Sequence, residues 1–256
     1  PIPTPTQRVY VSRQKGEDQM KLWHKIILFI AAAAVLTRFA PFSQFFRSVN
    51  TLFHELGHAA VTLLLSGHVQ HIYLYEDLSG VTSSSVFGPW RVILVALAGY
   101  SLSALTAPTM FFIYAKGKEK TGLLFLAFLT LTGLLLFVRN SYGVVWCIGF
   151  AAVSLVGALL PWNWLRRAIW LLISFIVLVE SVWSSLTISL LGITDPARAG
   201  DAAILSRTTG VPAAAWGIGF TVIALWSAKV SMKLLFASLR KGKAPSRSRM
   251  NRPFHY

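Results

Sequence analysis

"FHELGHAAVTLLL", residues 53–65, sets two histidines and a glutamate in an otherwise apolar run. Ionisable groups in such surroundings are costly unless they are paired or bind a metal. The run therefore poses two linked questions: whether it lies in a membrane, and what partner the rest of the chain supplies.

Composition answers the first. The chain has 256 residues, of which 55% are hydrophobic and 13% charged. A soluble domain carries about 25% charged residues, so this chain has too little polar surface to cover a globule in water. Long apolar runs make it a polytopic membrane protein. The net charge of +15 could suggest nucleic acid, but the basic residues lie in short clusters between apolar runs and in the two tails. That is how positive-inside anchors are distributed, and it excludes a nucleic-acid groove. The single cysteine, Cys147, permits neither an internal disulfide nor a cysteine metal site.

The apolar runs 22–40, 90–114, 123–138, 144–160, 168–190 and 212–236 predict about six transmembrane helices. The first reads as a span, not a cleaved leader. The histidine run predicts a shorter helix over 51–66, stopped at Gly67. Residues 69–86, "VQHIYLYEDLSGVTSSSV", are β-branched and aromatic around the turn formers Glu76, Asp77, Ser79 and Gly80, and predict a small β-hairpin. The expected fold is an all-α polytopic membrane protein with about six spans, the short histidine helix and the hairpin. A polar arm (1–21) precedes the membrane domain (22–239), and a basic tail (240–256) follows it.

Loop charges constrain the orientation. From Trp90 onward the runs alternate sides, so Lys116, Lys118, Lys120, Arg166, Arg167 and the tail share one side. Arg139, Arg198 and Arg207 fall on the other. The richer side is expected to be cytoplasmic. With a cytoplasmic arm, the histidine helix and hairpin make no net crossing. With the arm outside, the histidine helix spans fully. The charges leave both open.

His54, Glu55, Leu56, Gly57 and His58 spell HExxH. On a helix, residues four apart share a face, so His54 and His58 can both reach one Zn²⁺. Glu55, at the edge of that face, can act as general base without being a ligand. The competing reading is a hydrogen-bonded histidine pair in a core, but ionisable groups in an apolar membrane helix are functional by default. His24 reads as interfacial, His68 and His71 as hairpin residues, and His255 as part of the tail.

A catalytic zinc usually has three protein ligands, so one is still needed. Glu17 and Asp18 lie in the arm, Glu119 in a basic loop, and Glu76 and Asp77 at the hairpin turn. Asp195, before Pro196, reads as a turn or helix cap. Glu180 lies deep in "LLISFIVLVESVW", and Asp201 opens a short apolar stretch for which it could also be an N-cap. Asp201 and Glu180 both remain candidates.

"TLFHELGHAAVTLLLSGHVQHIYLYEDLSGVT" resembles the site-2 protease family of intramembrane zinc metallopeptidases, in its compact bacterial branch. Weaker matches are "ALAGYSLSAL", "RNSYGVVW" and "GDAAILSRTTGVPAAAW". The resemblance implies a Zn²⁺-dependent endopeptidase that cleaves a membrane-protein substrate within or beside the bilayer of a bacterial cell. It implies His54, His58 and Asp201 as metal ligands and Glu55 as the catalytic residue; Glu180, from its place in the apolar run, stays in reserve as third ligand. The family's Gly-Pro…Asn stretch after the hairpin is Ala98-Gly99-Tyr100 here, and Asn140 is another polar candidate. The alternative is an inactive protein of the same fold that binds a partner or a metal.

Overall fold

The computed structural model describes Met20, His24 and residues 26–38 and 43–241. The expected arm and tail lie almost wholly outside these residues, as do Glu17, Asp18 and His255. In chain order the elements are α1 (Ile26–Arg38), α2 (Ser43–Leu64), β1 (His68–Leu74), β2 (Gly80–Ser85), α3 (Pro89–Ala115), α4 (Glu119–Leu136), α5 (Ser141–Leu159) and α6 (Asn163–Thr194). A 3₁₀ turn (Pro196–Arg198), the short helix α7 (Gly200–Thr209) and α8 (Ala213–Lys241) complete the set.

Five helices, α3, α4, α5, α6 and α8, are long and apolar enough to cross a bilayer, and the bent pair α1–α2 can make a sixth span. Their lipid-facing sides are bare apolar surface, as at Leu135, Val145 and Leu159, which suits hydrocarbon as solvent. The fold is the expected all-α membrane bundle with one antiparallel hairpin.

The histidine helix differs from its expected extent. It begins at Ser43, well before residue 51, and has 22 residues. Its polar first half looks unsuited to an apolar setting, but three of its polar side chains find partners inside the protein. Arg47 donates to Glu180 at 3.1 Å, Ser48 lies 3.0 Å from the Tyr142 hydroxyl, and Asn50 donates to Ser184 at 3.4 Å. Burial against α5 and α6 makes these residues helical where hydropathy alone would end the run.

The hairpin pairs His68 with Ser85 at its base and Leu74 with Gly80 near its tip. Asp77 Oδ1 shapes the turn by accepting from the Ser79 amide at 2.9 Å and its hydroxyl at 2.6 Å. The far edge of β1 is also occupied. The Ile72 amide donates to Phe137 O at 2.8 Å, and the Arg139 amide to Ile72 O at 3.2 Å. The Asn140 side-chain amide accepts from Leu74 N at 3.1 Å and donates to Leu74 O. Asn140 thus stands in for one more strand residue and welds the α4–α5 connection to the hairpin. Among the described residues, no strand pairs with the outer edge of β2.

These bonds sort the connections by end. The hairpin and the α4–α5 connection share one end, and α7 joins them through the contacts described below. The α3–α4 and α5–α6 connections lie at the other end, where Arg167 reaches Glu119 at 3.0 Å. α7 is slung between the ends of α6 and α8, which approach closely through small residues: a Cβ on Gly192 would stand 2.8 Å from the Ala214 amide nitrogen.

Candidate metal centre

One turn of α2 presents His54 and His58 toward the N-terminal half of α3 and the first turn of α7. Their Nε2 atoms are 3.0 Å apart, and each lies 3.2 Å from Asp201 Oδ2. Among the described residues this is the group of histidine, cysteine and acidic side chains close enough to hold one ion. His58 Nδ1 donates to Val95 O of α3 at 2.7 Å. In the neutral ring Nε2 is then a lone pair, turned toward a carboxylate oxygen that has only lone pairs to offer.

A cation fits that arrangement on three counts. Asp201 Oδ2 is buried with the two imidazole nitrogens at 3.2 Å as its neighbours, and where those nitrogens carry lone pairs the three acceptors can be held together only by a cation. Ligands about 2.0–2.1 Å from a tetrahedral zinc stand about 3.3 Å apart, close to the spacings found. The backbone also leaves room: a Cβ on Gly99 would sit 2.5 Å from His58 Nε2 and 2.6 Å from His54 Nε2. The absence of a side chain at Gly99 keeps the point of convergence open. Tyr100 closes one side, with its ring edge-to-face against His54 at 4.5 Å and stacked on Phe220 at 4.9 Å.

Asp201 is not the helix cap that its position could suggest. α7 starts at Gly200, its N-cap is Ala199, and no side chain caps it. The carboxylate turns inward to the two histidines. Glu180, the reserve ligand, is elsewhere: its oxygens meet Arg38 at 2.9 Å and Arg47 at 3.1 Å. Arg38 also lies over the Trp183 ring at 4.6 Å. A carboxylate held by two guanidinium groups needs no metal, and Glu180 lies outside the group formed by His54, His58 and Asp201. Asp195, read as a turn residue, ends α6 and lies 3.8 Å from Arg198.

Glu55 leaves the histidine face toward the hairpin and is 3% exposed. Thr82 Oγ1 lies 2.6 Å from Glu55 Oε2 and 3.1 Å from the Glu55 carbonyl, and can donate to either. A Cβ on Gly80 would collide with the same carboxylate. The hairpin therefore has a small residue and a donor where the glutamate needs space and a hydrogen bond. Neither is visible in the HExxH spacing, because both depend on the β2 register.

His54, Glu55, His58 and Asp201 line one cavity of about 830 Å³. Gly80, Val81, Thr82, Ser84 and Ser85 of β2 line it as well, and no β1 residue does. Successive strand residues point to opposite faces, so lining by both sets means that the edge of β2 borders the cavity. Arg198 and Arg207 are also in its wall. His68 and His71 are in the hairpin and His24 is remote in sequence; none of them lines the cavity.

The family model described as Peptidase M50B-like matches residues 26–231. No curated protein and no solved structure matches the chain. The match takes in α1 through most of α8, including the HExxH turn, the hairpin and Asp201. The chain belongs to the peptidase M50B-like family, within the site-2 protease family of membrane metallopeptidases.

Proposed function

We propose that this protein is a zinc-dependent endopeptidase that cuts a membrane-protein substrate within or beside the bilayer. The observation that carries the reading is the convergence of His54, His58 and Asp201 beside a buried glutamate in one cavity. His54 Nε2, His58 Nε2 and Asp201 Oδ2 would hold the metal. Zinc bound there supplies Lewis-acid polarisation of the scissile carbonyl and lowers the pKa of water.

The other steps belong to the chain's own residues. Glu55 takes the proton of the attacking water on its carboxylate and passes it to the leaving amine. Thr82 and Gly80 keep that carboxylate in place. Val95 O holds His58 in the tautomer that points Nε2 at the ligand position. The unpaired edge of β2 receives the substrate as an added strand, which requires an unwound segment. The cavity supplies water at a depth where lipid would exclude it.

The basic clusters support a location for this chemistry. Lys116, Lys118, Lys120, Arg166 and Arg167 lie at the end opposite the hairpin and α7. If that end is cytoplasmic, the site opens toward the other face. A bacterial cell membrane is the setting that the resemblance favours.

The direct test is Glu55→Gln, which is expected to keep its zinc and lose cleavage of a substrate cut by the wild type. Cleavage by the variant at the wild-type rate would remove Glu55 from the mechanism. Zinc binding by wild type with no hydrolysis of any membrane substrate would favour an inactive, metal-binding member of the fold.

A further inference from the structure

The cavity wall carries two cations that the hydrolytic mechanism does not use. Arg198 follows Pro196 in the 3₁₀ turn, and Arg207 lies in the last turn of α7. Asp201, Ile204 and Arg207, at three-residue spacing on α7, all line the cavity and share one side of that helix. Arg207 Nε donates to Ala203 O at 3.3 Å, which lays its stem along the helix. Among the described residues, nothing engages its two terminal nitrogens. Arg198 has, among the described residues, only Asp195, at 3.8 Å, and its side chain is 82% exposed. That separation is beyond hydrogen-bond reach. Two planar guanidinium forks therefore stand at the cavity rim with donors to spare, a pattern suited to a carboxylate.

We propose that Arg198 and Arg207 recognise an acidic residue of the substrate, displaced along the chain from the scissile bond. This rests on the peptidase reading and adds a specificity to it. Asp201 and Arg207 are six positions apart on one helix, about 9 Å at 1.5 Å per residue. An extended peptide covers that distance in about three residues at 3.3 Å each. The acidic side chain thus belongs about three residues from the bond cut if Arg207 is its main contact, with Arg198, on the other side of Asp201 in the chain, reaching toward it across the cavity.

The test uses the full chain, zinc-loaded in phosphatidylcholine nanodiscs, and fluorescent apolar peptides with a hydroxamate that anchors them on the metal. One set carries Asp at the third residue from the anchor, on either side, and the other carries Asn there. Anisotropy should show one Asp peptide binding about tenfold tighter than its Asn twin, as one charge-assisted contact near the surface warrants, and the gain should shrink as salt is added. It should vanish in an Arg198→Ala/Arg207→Ala double variant that still holds its zinc. In Arg207→Glu, Lys should replace Asp as the favoured residue. Equal affinity of the Asp and Asn peptides for wild type overturns the proposal, even if both bind well. That result is also expected if the arginines are occupied by lipid phosphate. A preference that survives the double variant overturns it too. If no hydroxamate peptide binds the zinc-loaded protein, the peptidase reading of the site falls and the specificity falls with it.

Discussion

Gly99→Ala adds one methyl group at the point where the ligands converge. The new Cβ would stand 2.5 Å from His58 Nε2 and 2.6 Å from His54 Nε2 and Cε1. Non-bonded contact needs about 3.5 Å, so each imidazole must retreat by about 1 Å. A metal site tolerates ligand displacements of about 0.2 Å. The variant should therefore lose at least about 100-fold in zinc affinity, beyond the usual effect of residues that merely support ligands. The fold should survive, because alanine suits a helix interior better than glycine by about 0.5–1 kcal/mol. Chelator competition on purified protein gives the affinity, and thermal unfolding in excess chelator gives the stability of the metal-free form. Gly219→Ala is the control, since a Cβ there meets nothing within 4 Å. Wild-type zinc affinity in Gly99→Ala would refute the face-to-face placement of α3 against the histidine turn.

Three further outcomes follow from other contacts. Thr82→Val removes the donor that holds Glu55 and should lower kcat about tenfold with zinc retained, as a lost hydrogen bond to a charged group implies; Thr82→Ser should restore most of it. Glu180→Gln leaves Arg38 and Arg47 without their counter-charge and should destabilise the protein by about 3 kcal/mol, the low end for a broken buried pair because both arginines are partly exposed. Its zinc content should stay at the wild-type value, whereas a ligand role would lower it. Glu76→Cys at the exposed hairpin turn should react with a membrane-impermeant maleimide in intact cells, and Lys118→Cys only after permeabilisation. The native Cys147 is fully buried and gives little background. The reverse labelling pattern would invert the orientation.

What could be read from the sequence was local. HExxH is a single helical turn, so spacing alone puts His54 and His58 on one face and Glu55 beside it. The hairpin was legible from composition and turn formers, and the spans from runs of apolar residues. Asp201 was not local: only the resemblance and the shortage of other acids pointed to it, because its partners come from a helix far upstream. Glu180 shows the limit of inference from burial. An acidic residue deep in an apolar run needs a partner, but nothing in its own helix reveals that Arg38 and Arg47 supply one. The same pairing explains the missed first half of α2. Its polar residues looked like a break in an apolar run because their partners on α5 and α6 become neighbours only in the folded bundle. Gly99 and Thr82 carried no local signal and Gly80 signalled only a turn, since each matters to the site through one close approach between elements.

The central claim is that His54, His58 and Asp201 form one metal site. Elemental analysis of detergent-purified wild type, His54→Ala and Asp201→Ala tests it most directly. The account predicts about one zinc per wild-type chain, as a single three-ligand site requires, and loss of it in both variants. Full zinc retention by Asp201→Ala, or no zinc in wild type under metal-replete conditions, would contradict it.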